Sequence, residues 1–418
     1  MIIQSIAGIL LFIAVLILFI DAVPIAGDWL GRIHIGRYIH KETWETALTD
    51  RGKLWLNKTP KIKVTDHTRL IVLDMLRGNY SKSAIQHWQE AAILLGLNES
   101  IQQHTDMSLQ KTIHQYLNSK FTEAGSWKVN PVNVDAGILA YAVMNQTVVD
   151  SGRYKPALDK MWDLIQEHIG EDGTVMYRKW MKDYRYVDTI GFICPFLISY
   201  GMKYDKPECV QLAVKQIKEY ERFGMLNDPY IPCHAYHTKT HYPLGLYGWG
   251  RGLGWYAIGL IDAWRELPDH HEFKQTLTDS VKNFTRSVLP LQSPQGNWNW
   301  TATRPESRAD SSATATLAWF MKNASSIEEI RERCLKSSDQ AINYLMKVTR
   351  RNGAVDFSQG DTKDIGVYSS LFNILPFTQG FAIRSIYFNR KKEVKSDDQR
   401  VQVVKSENQK AASGRIMA

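Results

Sequence analysis

The chain has 418 residues, 44% of them hydrophobic and 22% charged, which excludes a collagen, a disordered chain and a polytopic membrane protein. The net charge is +8, but from residue 390 onward eight Lys/Arg stand against four Asp/Glu, so +4 of it belongs to the tail. A basic patch for nucleic acid is therefore not indicated, whereas a small anionic substrate is compatible. Aromatics reach 11%, with 13 Trp and 19 Tyr, and many fall in polar segments, the pattern of a surface that stacks on flat rings such as sugars.

In chain order, the first feature is an apolar run. Residues 6–20 are unbroken, and counting back to Ile2 gives nineteen residues. At helical rise this is about 28 Å, enough to cross a hydrocarbon core. No Lys or Arg precedes the run, while Arg32, Arg37 and Lys41 come after it. That favours a single transmembrane anchor over residues 1–25 rather than a cleaved secretory signal, and places the large C-terminal part of the chain in the cytoplasm. A signal peptide, giving a secreted form, is the alternative. Amphipathic helices are then expected at 41–56, 67–76, 81–95, 134–144, 155–168, 187–200, 207–223, 252–267, 273–289, 312–321, 327–348 and 378–388. Short β-like pieces are expected at 173–177 and 297–300. Strand and helix do not alternate, which disfavours Rossmann and TIM architectures. A closed toroid of helical hairpins over residues 40–389 fits best, with an open solenoid second. Residues 390–418 read as a disordered polar tail. Cys194, Cys209, Cys233 and Cys334 have neither C-x-x-C spacing nor partner histidines, so they are expected as reduced core residues, with no metal site.

The densest chemistry lies in Cys233-His234-Ala235-Tyr236-His237 and Tyr247-Gly248-Trp249-Gly250-Arg251-Gly252-Leu253-Gly254-Trp255-Tyr256. Glycines there would let backbone approach a ligand while Arg251 meets a carboxylate and the indoles stack on a ring. Trp249 and Trp255 have a simpler reading as core aromatics. The Gly250-x-Gly252-x-Gly254 spacing lacks the preceding strand of a dinucleotide loop. Asp135 and Asp188 each open an apolar helix. Either is an N-cap worth ~1 kcal/mol or, half-buried among aromatics, a carboxyl whose pKa is raised enough for acid catalysis. Asp310, before Ser311-Ser312, reads as a structural cap.

Val187-Asp188-Thr189, Cys194-Pro195-Phe196-Leu197, His234-Ala235-Tyr236 and the Trp249–Tyr256 block together resemble the unsaturated glycuronyl hydrolases of glycoside hydrolase families 88 and 105. The unsaturated rhamnogalacturonyl hydrolases look closest, and the likeness runs from about Thr43 to Phe388, closing on Thr378-Gln379-Gly380-Phe381-Ala382. The resemblance implies an all-α, (α/α) six-hairpin barrel. It also implies an enzyme that takes unsaturated uronic-acid oligosaccharides. No cofactor is expected, since the sequence has neither metal-ligand spacing nor a nucleotide motif, and no obligate protein partner is implied. Asp188 matches the general acid and base. Asp135, Tyr186, His234, Trp249, Arg251 and Trp255 match positions that bind or orient the sugar. The chain departs from relatives at His237, where an acidic residue tends to stand, and at Tyr186, where Trp is common. Two other readings compete: another six-hairpin glycosidase, and a membrane-tethered carbohydrate-binding protein without catalysis.

Overall fold

The computed structural model describes residues 2–60, 65–78 and 87–388; the start of the helix expected at 81–95 and the tail from 390 lie outside them. The helices are α1 (Ile2–Arg32), α2 (Lys41–Asn57), α3 (Ile71–Leu76), α4 (His87–Gln103), α5 (Met107–Lys120), α6 (Gly137–Met144), α7 (Lys155–Gln166), α8 (Val187–Tyr204), α9 (Pro207–Phe223), α10 (Gly250–Glu266), α11 (Lys274–Val288), α12 (Ser311–Ala324), α13 (Arg331–Lys347) and α14 (Pro376–Tyr387). Short strands β1 (Tyr184–Tyr186), β2 (Ala235–His237) and β3 (Pro243–Leu244) form one antiparallel sheet, and β4 (Ser358–Gln359) pairs with β5 (Phe372–Asn373).

The even-numbered helices from α4 to α14 touch in sequence, and α14 then packs on α4, closing an inner ring of six. Around it α2, α5, α7, α9, α11 and α13 form the outer layer, each against its hairpin partner. This is an (α/α) six-hairpin barrel. Burial separates the layers. Inner helices are buried on nearly every face, as in α6, where all eight residues are buried. Outer helices bury one stripe, as in α9 with Cys209, Val210, Ala213, Val214, Ile217 and Tyr220 at three- and four-residue spacing. Closure rests on two glycines: a Cβ at Gly380 would overlap the Ala92 backbone, and one at Gly96 the Gly380 carbonyl. Side chains there would hold α14 off α4.

Most expected helices appear within a few residues of their bounds. α5 is an addition: its stripe of Leu109, Ile113, Tyr116 and Leu117 is diluted by polar residues, and Asp106 caps it by accepting from the Ser108 and Leu109 N–H groups. The β-like pieces are loops held by single bridges, Ile169–Val175 and Asn299–Ala309. All four cysteines are buried thiols.

α1 runs 31 residues without a buried side chain and is long and apolar enough to cross a membrane, or to act as a signal, by length and composition. Its last turns belong to the barrel. Arg32 pairs with Asp356 (Nε–Oδ2 2.8 Å), which Arg350 also meets, and Asp28 accepts from Arg350 and Asn373.

Candidate active site

Three inner helices deliver the chemistry because they begin at one end of the barrel. Asp135 sits in a 3-10 turn leading into α6, Asp188 in the first turn of α8, and Arg251 in the first turn of α10 behind Trp249. The β1–β2 pairing supplies the last component. Tyr186 opposes Ala235, and the Val187 N–H donates to the His234 carbonyl (3.0 Å), so strand register sets His234 beside the start of α8. His234 Nε2 stands 3.7 Å from Asp188 Oδ2.

Neither Asp135 nor Asp188 is a cap. The residues at the cap positions are Asn133 and Tyr186, and they make no side-chain cap bonds. Asp310 does cap α12, accepting from the Ser312 N–H and hydroxyl, and it also accepts the Gln359 N–H.

Asp188, His234, Arg251, Tyr186, Trp249 and Trp255 line one cavity of about 100 Å³. The Asp188 side chain is 14% exposed to it, and Oδ2 is buried without a hydrogen-bond partner among the described residues. Burial pushes its carboxyl up from 3.8 to about 7; Arg251 pulls the other way, and the nearby Asp361 adds to the rise. Desolvation, with Arg251 in support, lowers His234 to about 4, so its imidazole is neutral at neutral pH. A carboxyl half protonated near pH 7 beside a neutral imidazole can give and retake a proton within one turnover.

The other expected residues take more specific places. Arg251 donates through Nη1 to the Gln359 carbonyl (2.6 Å) and through Nη2 to the Thr362 hydroxyl (3.3 Å), and it also reaches the Gly360 carbonyl. It clamps the loop after β4 over the cavity while keeping further N–H donors. Trp249 donates Nε1–H to Gln359 (2.9 Å) and packs on His234 at 4.5 Å between centroids. Trp255 wedges between Trp88, Phe192 and Phe377. Each indole is 2% exposed, so both are core aromatics that reach the cavity and neither offers an open ring face. Tyr186 packs on Tyr177 and edge-on to His234. Asp135, 5% exposed, stands 3.8 Å from Arg178 and is not on the cavity wall. His237 organises the turn before β3, where its Nδ1 accepts the Lys239 and Thr240 N–H groups.

Two findings depart from the sequence reading. The α10 glycines do not face a ligand: a Cβ at Gly252 would strike the Trp249 ring, one at Gly250 the Asn299 carbonyl, and one at Gly254 the Thr316 hydroxyl. They let α10 pack closely on its surroundings. The second is Asp361, which lines the cavity wall with its carboxyl pushed up by burial and by the charge of Asp135. It lies in Gly360-Asp361-Thr362, a polar loop with no periodicity, far along the chain from Asp188.

A closed six-hairpin helical barrel with an acid at the mouth is an architecture of carbohydrate-active hydrolases. The chain belongs to Glycosyl Hydrolase Family 88, whose family model matches residues 62–370, and it is a glycoside hydrolase. Among solved structures, a possible member of family GH105 from Salmonella enterica is similar at TM-score 0.68 and 17% identity, covering 84% of this chain and 94% of that one. An unsaturated glucuronyl hydrolase specific for heparin matches at TM-score 0.64 and 15% identity over 84% and 98%. The unsaturated glucuronyl hydrolase of Bacillus sp. GL1 is similar at TM-score 0.57 and 15% identity over 82% and 95%. No curated protein sequence matches significantly.

Proposed function

We propose that this hydrolase releases a 4,5-unsaturated uronic acid from the non-reducing end of oligosaccharides left by a polysaccharide lyase, unsaturated galacturonyl-rhamnose products among them. The observation that carries the reading is Asp188: a carboxyl on the cavity wall raised to about 7, one oxygen of it buried without a hydrogen-bond partner among the described residues, beside His234 and Arg251. Protonated Asp188 donates to C4 of the enol ether. Positive charge develops at C5, water adds there, and its proton returns to Asp188. The resulting hemiketal opens, and the next sugar leaves from C1. Arg251 and the neutral His234 orient the uronate, the guanidinium through donors not spent on the 359–362 loop. Asp135, 3.8 Å from Arg178, faces that guanidinium's charge behind the wall.

The chemistry asks nothing of a metal or organic cofactor. Membrane attachment through α1 is part of the same proposal. It is supported by the continuity of α1 from its apolar run into a docked end at Asp28 and Arg32, which makes the helix part of the fold. Loss of the ultraviolet absorbance of an unsaturated disaccharide tests the reaction. Asp188→Asn is expected to cut the rate by ~10²–10⁴ with the fold intact. Full activity in that variant, or turnover of the saturated disaccharide at an equal rate, overturns the assignment.

A further inference from the structure

Helix α3 is built inside out. Its inward side chains are Ile71 and Asp74, and Asp74 is held by the Thr65 hydroxyl (2.8 Å) and His67 Nδ1 (3.0 Å). Around it Leu70, Leu73, Met75 and Leu76 face outward, 52%, 44%, 41% and 80% exposed. A surface helix of a soluble protein has the opposite pattern, since burying each such side chain yields roughly 1.5–3 kcal/mol. The exposure is fixed by polar ties on the inner side, so α3 cannot simply roll its leucines inward.

Those ties include α1. Asp21 accepts the backbone N–H groups of Leu70 (2.6 Å) and Ile71 (2.8 Å), holding Leu70 in a left-handed conformation (φ 53°) that leucine otherwise avoids. Asp21 is the first residue after the apolar run that begins at Ile2, about 28 Å along the helix, which is where a spanning helix leaves the hydrocarbon. With α1 read as a spanning helix, the start of α3 falls at the level of the membrane–water boundary. Arg69 and Arg77, both exposed, flank the apolar face and match the negative charge of anionic headgroups.

We propose that α3 is a second membrane contact, with Leu70, Leu73, Met75 and Leu76 entering the interfacial layer of the leaflet from which α1 emerges. The inference rests on reading α1 as an anchor. Its consequence reaches the active site. Asp66, in the same segment, accepts from the Ser369 hydroxyl (2.6 Å) and pairs with Lys363 (3.3 Å), a residue of the cavity wall around Asp188. Bilayer and catalytic rim are joined through one short stretch. The barrel is prevented from swivelling about α1, and the mouth keeps a fixed attitude to the surface.

The four native cysteines are buried, so Leu76→Cys introduces the sole exposed thiol. The full chain carrying this substitution, labelled with bimane, is reconstituted in vesicles of phosphatidylcholine and phosphatidylglycerol. Asp279→Cys, on an exposed position of α11, is the control. Blue-shifted emission at position 76, quenched by at least half with lipids brominated near the headgroup and unquenched at position 279, is the expected result. Water-like, unquenched emission at both positions from a chain that floats with the vesicles overturns the α3 contact and leaves the anchor standing. A chain that does not float at all overturns the anchor, and the α3 contact with it.

Discussion

The proton inventory of the cavity makes the pH behaviour specific. In the proposed reaction Asp188 enters protonated; burial pushes its carboxyl up to about 7, and burial lowers His234 to about 4. The rate at saturating unsaturated substrate is therefore expected to fall above pH 7 and to be insensitive to His234 across the range above its pKa; a pH–rate profile checks this. Asp361 helps to hold Asp188 up, because two carboxyls sharing a dry wall resist carrying two charges. Asp361→Asn should move the alkaline limb toward lower pH, and an unmoved limb would remove Asp361 from the electrostatics of the acid. The same shift is a stability statement. A carboxyl whose folded pKa lies above its unfolded 3.8 favours the fold fully below that value and loses the contribution as pH rises through about 7. Asp188→Asn is accordingly expected to melt higher than the parent at about pH 8, by up to a few kcal/mol, with the gap closing toward pH 4. Melting curves of the two chains at both pH values check it. Asp188 was legible in the sequence because it opens an apolar helix among aromatics. Asp361 was not, since its cavity exists only once a distant loop is clamped by Arg251.

At the scale of helices, the two ends of the ring do different work. The end where α6, α8 and α10 begin holds Asp188; the end where they finish holds a buried charge cluster. There Arg384 of α14 donates to Asp262 of α10 (2.5 Å), the Trp319 indole of α12 donates to the same carboxylate (2.9 Å), and Glu99 of α4 lies 4.0 Å from Arg384. Asp262 and Arg384 are almost wholly buried, so removing one takes from the other its closest charge partner in a dry interior, leaving, among the described residues, Arg384 only Glu99 at 4.0 Å, or Asp262 only Arg265 at 3.8 Å. Asp262→Ala should cost ~3–5 kcal/mol, seen in denaturant unfolding, while Asp188 keeps its pH profile in whatever remains folded. The helices themselves were readable. The stripe at 207–223 was fixed to the residue because one face is wet, whereas 134–144, expected as one more amphipathic helix, proves to be buried on every side as part of the inner ring. Closure itself was expected from the succession of helices, but the contacts that make it were not readable. It depends on Gly96 meeting Gly380 and on Arg384 meeting Asp262, contacts between residues remote in sequence that a local periodicity cannot register.

For the molecule as a whole, the issue is whether α1 is a tether or a structural member. A tether would leave its sequence free beyond the apolar run. Instead Arg32 makes a two-pronged contact with Asp356 through Nε (2.8 Å) and Nη2 (3.0 Å) and donates to the Phe372 carbonyl, while its guanidinium lies over Phe357. Asp356 is fully buried and also receives Arg350, which reaches Asp28 on α1. The bond to Phe372 matters most for function, since β5 pairs with β4 and β4 leads into the loop that Arg251 clamps over Asp188. Arg32 is 29% exposed at its side chain, so solvent screening takes back part of the attraction. A double-mutant cycle with Arg32→Ala and Asp356→Asn in the full chain should still return a coupling of about 1 kcal/mol, within the range for groups in direct contact. The single Arg32→Ala variant should also raise KM for the unsaturated substrate more than it lowers kcat, because it loosens the loop that shapes the cavity rather than the acid itself. Zero coupling with unchanged kinetics would make α1 a passive leash.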